Sequence, residues 1–230
     1  MLLKAIRFLK RPHLPHSLDS RLQHFSPPLR RLLKYGTLDP TSKKYWDAVW
    51  HDEGQSTWRT YPNLFEIISR TILPGSHVLD IGCGPGILLN RLRAAQSCKC
   101  IGLDLSSVAM SLLNQAGIPS VVAQLPDIPF RSATFDAVVA TEVLEHLEDP
   151  AGTLQQMKRV TRAGGLIICS VPNECLTTEE CDEHLHNFDL ESFAALLGGL
   201  GNVRISTVRD KGGDKLVAVI RTEDRHTDES

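Results

Sequence analysis

The stretch Asp80-Ile81-Gly82-Cys83-Gly84-Pro85-Gly86 gathers, within one turn of chain, the residue types that a nucleotide-like ligand needs. An apolar run around Val78-Leu79 leads into an acid, three glycines follow at alternate positions, and Ile87-Leu88-Leu89 opens a helical pattern. Such a pattern predicts a buried parallel strand that turns sharply into a helix. Glycine lets the backbone take positive φ and approach a ligand closely, and a helix start presents free N–H groups. A pyrophosphate would ask for G-x-G-x-x-G. Gly82 and Gly84 satisfy it, but the sixth position is Ile87, and the third glycine, Gly86, comes one place early. The Asp80 carboxylate would repel a pyrophosphate and suit a cationic end. Asp104 closes the next apolar run, Cys100-Ile101-Gly102-Leu103, where an acid can accept from both ribose hydroxyls. A cationic head, a ribose and no pyrophosphate describe S-adenosylmethionine.

The elements that must hold these residues alternate along the chain. The spacing predicts strands near 77–81, 99–104, 120–123, 135–140 and 165–170, and helices near 86–95, 106–116, 150–160 and 189–197, the last with Asp189 as N-cap. That rhythm implies an α/β fold: a doubly wound, Rossmann-like sheet, mostly parallel, with helices on both faces. Strands at 203–209 and 215–221, joined by Asp210-Lys211-Gly212-Gly213-Asp214, read as a closing antiparallel hairpin. Upstream, 41–51 and 62–72 look helical, and Tyr45, Trp46, Trp50, Trp58 and Tyr61 cluster in and between them. Those rings either anchor the two helices to the sheet or cover the ligand.

From about Val78 to Pro172 the chain resembles the class I S-adenosylmethionine-dependent methyltransferases, nearest to the ubiquinone-biosynthesis group. Asp80-x-Gly82-x-Gly84-x-Gly86 matches that family's glycine loop and Asp104 its ribose-binding acid. Leu125 to Phe135-Asp136 is similar to its adenine-side loop and fourth strand. Glu142-Val143-Leu144-Glu145-His146-Leu147 matches the signature after that strand, and Ala163-Gly164-Gly165 the turn into the fifth. The resemblance implies a seven-stranded sheet with one reversed strand. It also implies a cofactor site formed by Asp80, Gly82, Cys83, Gly84 and Gly86 at the methionine end, with Asp104 at the ribose. Leu105 and Ser106 would border the adenine, and Thr141 would close the site at the end of the fourth strand. Relatives often hold the adenine amine with an acid where this chain has Gln124; the amide carbonyl can still accept from that amine, with Leu125 supplying a backbone N–H. Another departure is Arg162-Ala163, where relatives often carry Lys-Pro.

Methyl transfer from a sulfonium is an in-line displacement, so placement of the acceptor is the protein's main task. His146, with Glu142 four residues earlier, is the candidate catalytic group; an imidazole titrating near 6.5 suits removal of a proton from a phenol or enol. A small-molecule acceptor methylated at oxygen or carbon is the expectation. Two alternatives stand beside it. Glu142-x-x-Glu145-His146 with a later histidine, His184 or His186, resembles the metal-binding set of small-RNA 3′-terminal 2′-O-methyltransferases, and two carboxylates with two imidazoles suit a divalent metal. The other is a non-catalytic cofactor-binding subunit or assembly factor.

Composition narrows the rest. The 230 residues are 42% hydrophobic and carry a formal net charge of −2, enough for one α/β domain, taken as residues 41–222. Residues 1–36 hold eight Lys/Arg and one acid, which leaves 17 basic and 26 acidic residues in 37–230. Leu2, Ala5, Ile6 and Leu9 would share one helical face opposite Lys4, Arg7 and Arg11, the pattern of an interfacial or organelle-targeting helix. The basic arm, residues 1–40, therefore suggests an anionic partner such as a membrane surface, whereas an acidic domain is poor at holding RNA. Six cysteines without a C-x-x-C pair read as reduced thiols in a cytoplasmic setting. Residues 223–230 read as a polar tail.

Overall fold

The computed structural model describes residues 35, 38–54, 59–173 and 183–223. The expectations for the basic arm, for Trp58, for Cys175 and Cys181 and for the tail after residue 223 lie outside them. Seven strands form one sheet: β1 (His77–Ile81), β2 (Lys99–Asp104), β3 (Ser120–Val122), β4 (Phe135–Thr141), β5 (Thr161–Pro172), β6 (Asn202–Asp210) and β7 (Gly213–Arg221). Their order is β3-β2-β1-β4-β5-β7-β6. The first five strands are parallel, and β7 alone runs antiparallel, to both β5 and β6. β1 is buried by parallel neighbours on both edges, which is why it reads as a nearly continuous apolar run.

Among the described residues six α-helices and one 3-10 turn follow from ordinary start signals. α1 (Lys43–Glu53) begins behind Ser42, whose side chain accepts from Tyr45 N; α2 (Pro62–Thr71) has proline in its first turn. α3 (Ile87–Gln96) follows Gly86, and α4 (Ser107–Gln115) has Ser106 as N-cap. α5 (Pro150–Val160) has Asp149 as N-cap, α6 (Leu190–Leu196) has a reciprocal Asp189–Ser192 capping box, and Leu144–His146 makes one 3-10 turn. Among the described residues no helix is long and apolar enough to cross a membrane.

Two apolar layers flank the sheet. One packs α1 and α2, through Tyr45, Leu64 and Ile68, with α3 and α4, through Leu89 and Leu113. The other packs α5 and α6, through Leu154 and Phe193, against β4, β5 and β7. After β3 the chain returns to pair β4 with the opposite edge of β1. The carboxyl ends of β1 and β4 therefore flank the point where strand order reverses, and such folds bind ligands there.

Two boundaries differ from expectation. β5 starts at Thr161, because Phe135 pairs with Thr161 before a register shift resumes at Ala137 with Leu166; Ala163-Gly164-Gly165 forms the irregularity inside the strand rather than a turn before it. The final hairpin is tighter, with Asp210 paired to Gly213 so that only Lys211 and Gly212 turn.

Candidate active site

A cavity with about 1230 Å³ of empty space, part of it open to solvent, lies at the carboxyl ends of β1, β2 and β4, beneath α1. Asp80, Gly82, Cys83, Gly84, Asp104, Leu105, Gln124, Leu125 and Thr141 all line it, as do Glu142 and His146. Of the expected residues, Ser106 and Gly86 stay outside: Ser106 is fully buried as the N-cap of α4, and Gly86 is part of the turn. Its φ of +80° turns the chain into α3, and a Cβ there would run into Leu113; it is a hinge of the loop and not part of the wall. Gly84 faces the cavity differently. At φ +51° its Cα lies under the Trp50 indole, and a Cβ would stand 2.7 Å from Cζ2 and 2.8 Å from Cη2. Only glycine lets α1 come down onto the loop.

The two acids are in different states of readiness. Asp104 is anchored: Gly84 N donates to Oδ2 at 2.9 Å and Ser106 N to Oδ1 at 2.8 Å. Burial pushes its pKa up to about 6, partly countered by those two bonds. Asp80 is 2% exposed, and its Oδ1 has no hydrogen-bond partner among the described residues. Burial first, and Asp104 second, hold its carboxyl well above the usual carboxylate range. A buried polar atom without a partner costs about 1–3 kcal/mol, so Asp80 is a seat built for something that brings a donor or a positive charge.

Residues 79–169 match the model of a methyltransferase domain. The match takes in less than half of the chain. The chain is 34% identical over 112 residues to a ubiquinone biosynthesis O-methyltransferase of Paracidovorax citrulli strain AAC00-1, a match covering 44% of this chain and 45% of that protein. It is 35% identical over 97 residues to a demethylmenaquinone methyltransferase of Mycobacterium sp. strain KMS, covering 42% of each. The chain thus spans less than half the length of these curated relatives. Among solved structures, an S-adenosylmethionine-dependent methyltransferase from Mesorhizobium loti superposes with a TM-score of 0.55 at 19% identity, covering 69% of this chain and 98% of the other; at that identity the likeness shows the fold. S-adenosylmethionine is the methyl donor implied by the domain, and the cradle fits it. The unpartnered Asp80 Oδ1 would meet the cationic end, anchored Asp104 would keep lone pairs for a diol, and the glycine loop would admit a ligand where a Cβ would stand.

The acceptor side of the methyltransferase domain is polar but largely committed. Glu142, expected as a catalytic carboxylate, is redirected: Lys215 Nζ lies 2.5 Å from Oε2 and Ser170 Oγ donates to Oε1 at 2.8 Å. It also sits at φ +56°, a conformation that non-glycine residues adopt at a cost. A carboxylate clamped this way is a positioning group of the wall. His146 donates from Nδ1 to the Glu183 carbonyl (2.9 Å), taking that tautomer as the one the carbonyl requires, which leaves Nε2 as the basic nitrogen. Burial lowers its pKa to about 4, well below the expected 6.5. The ring is packed edge-on by Trp46 and His184.

Of the four residues in the metal-binding alternative, ligand atoms of Glu145, His146 and His184 lie within 4.8 Å of one another. Glu142 turns away to Lys215, so the four-ligand set is not assembled. His186 instead holds the backbone, its Nε2 2.9 Å from Leu147 O.

Sequence reasoning missed four residues at or around the site. Lys215 lies in a strand that otherwise reads as core. Arg59 lies 5.5 Å from the Trp46 ring centroid and pairs with Glu53 at 3.6 Å and Glu183 at 3.4 Å. Glu183 also accepts from the Tyr45 hydroxyl; although burial raises its pKa, Arg59 and Tyr45 outweigh that and hold it below the ordinary value. Asp47 of α1 accepts from Ser106 Oγ (2.7 Å) and Val108 N (3.2 Å), capping α4 from outside its own helix. For the aromatic cluster the structure joins both readings. Tyr45 is fully buried core, while Trp46, Trp50 and Tyr61 line the cavity.

Proposed function

We propose that this protein transfers the methyl group of S-adenosylmethionine to a small-molecule acceptor, at oxygen or carbon. The observation that carries the reading is the unequal carboxylate pair: Asp104 tied down by two backbone amides, Asp80 buried with an orphaned oxygen, both lining one cavity. When bound, the donor supplies an electrophilic methyl and leaves as a neutral thioether. Asp104 fixes the ribose, and Asp80 offsets positive charge at the methionine end. Trp46, Tyr61 and Glu142, which line the same cavity, would wall the acceptor.

His146 lines the cavity, and its Nε2, the nitrogen left basic by the Glu183 bond, would accept a hydrogen bond from an acceptor hydroxyl. Its basicity is weak, but the oxygen's proton becomes far more acidic as the methyl arrives, so a neutral imidazole suffices to take it at that stage. The clamped Glu142 and the acidic surroundings disfavour a polyanionic acceptor such as RNA.

The test is incubation of the full chain with S-adenosylmethionine carrying a labelled methyl and a metabolite extract, followed by separation of small molecules from macromolecules. Label in a small product, lost in Asp104→Ala, is the expected outcome. No label anywhere, or label confined to RNA or protein, overturns the proposal.

A further inference from the structure

Asp80 is not the only orphan in the cavity. Trp50 is 6% exposed, lines the same cavity, and its indole Nε1–H, a group that can only donate, has no hydrogen-bond partner among the described residues. The indole lies directly on Gly84, as the would-be Cβ contacts show. One unmet donor, on Trp50 of α1, and one unmet acceptor, on Asp80 of β1, therefore belong to residues that line the same cavity beside the glycine loop.

The loop itself has no amide to spare. Gly82 N and Cys83 N both donate to Leu103 O (2.7 and 3.2 Å), Gly84 N to Asp104 Oδ2, and Gly86 N to Cys83 O (3.0 Å); Pro85 has none to give. An anionic group arriving here must find its donor elsewhere. Arg59, the cation on this wall, is engaged by Glu53 and Glu183.

We propose that Trp50 binds the carboxylate of the methyl donor through Nε1–H, while Asp80 takes the ammonium, so that the two orphans together read a zwitterionic amino-acid end. The proposal rests on the reading of the donor given above and adds a recognition residue outside residues 79–169, the span of the methyltransferase match. It also gives α1 a task. Docked onto α4 by Asp47, the helix brings to the ligand the one donor that the loop lacks.

A ligand-by-variant cycle tests it without any methyl acceptor. S-adenosylhomocysteine carries the amino-acid end; 5′-methylthioadenosine carries the same nucleoside and sulfur without it. Calorimetric titration of the full chain and of Trp50→Phe with both should show S-adenosylhomocysteine weakened about tenfold in the variant, the order of one hydrogen bond to a charged group, with 5′-methylthioadenosine unchanged. The second ligand also checks that the variant keeps its fold. Equal weakening of both ligands, or of neither, overturns the assignment of Trp50. Failure of the wild-type chain to bind S-adenosylhomocysteine overturns the donor reading instead, so the two failures are distinguishable.

Discussion

Lowering the pH from 8 to 5 should weaken donor binding by an amount that Asp104 sets. Both of its oxygens already accept a backbone amide, and the ribose hydroxyls need the remaining lone pairs, so the complex requires the ionised carboxylate. With a free-state pKa of about 6, one Asp104 in eleven is ionised at pH 5 and nearly all at pH 8, so affinity should fall about tenfold. The assay is titration with S-adenosylhomocysteine at pH 5, 6, 7 and 8, repeated in buffers of different ionisation enthalpy to count protons released. Asp80, also shifted upward, adds its own proton release and steepens the wild-type dependence beyond tenfold; in Asp80→Asn the overall affinity drops and the ratio between pH 8 and 5 returns to the tenfold that Asp104 sets. Stability of the free protein moves the other way. Because Asp104 is raised from 3.8 to about 6, its contribution of roughly 3 kcal/mol is present below pH 4 and lost as pH rises through 6. His146, lowered from 6.5 to about 4, contributes stability above pH 6.5 that is lost as pH falls toward 4. The two nearly offset in this window, so binding, not melting, carries the signal. Equal affinity at pH 5 and pH 8 would refute the anchoring role of Asp104.

Three further perturbations follow from the geometry. Gly84→Ala adds a left-handed penalty of about 1–2 kcal/mol and presses a methyl into Trp50; thermal melting should shift down by several degrees and donor affinity fall by more than tenfold. Lys215→Met strands Glu142 without its buried cation, which should cost about 3–5 kcal/mol in chemical denaturation, and adding Glu142→Gln should restore most of that. Asp47→Ala removes the cap that α1 places on α4, with a loss of about 1 kcal/mol and a few-fold loss of donor affinity; unchanged values of both would show that α1 does not depend on this bond to dock.

The donor half of the site was legible because its signals are local. Strand, acid, glycine turn and helix start follow one another from His77 to Gln96, and each is chosen by backbone geometry or burial within a few residues. Asp104 could be read the same way, as the acid ending the neighbouring strand. β5 was misplaced at its start for the same local reason: Gly164-Gly165 signals a turn, and only pairing of Thr161 with Phe135 pulls the segment into the sheet.

The acceptor half was not legible, because every contact that defines it joins distant segments. Tyr45 meets Glu183 across 138 positions, and Glu142 meets Lys215 from another strand. A sequence shows Glu142-x-x-Glu145-His146 as three polar groups of equal standing. Folding sorts them: Lys215 and Ser170 claim the first, burial leaves the third neutral, and Glu145 is buried with Oε1 3.9 Å from His146 Nε2. The same distance hid Trp50. Its aromatic character was visible, but its role depends on Gly84, more than thirty residues later, being small enough to lie beneath it, and on the loop amides being spent on Leu103 and Asp104. Which side chains remain unsatisfied is a property of the folded whole, and those leftovers, Asp80 Oδ1 and Trp50 Nε1, are what a ligand can use.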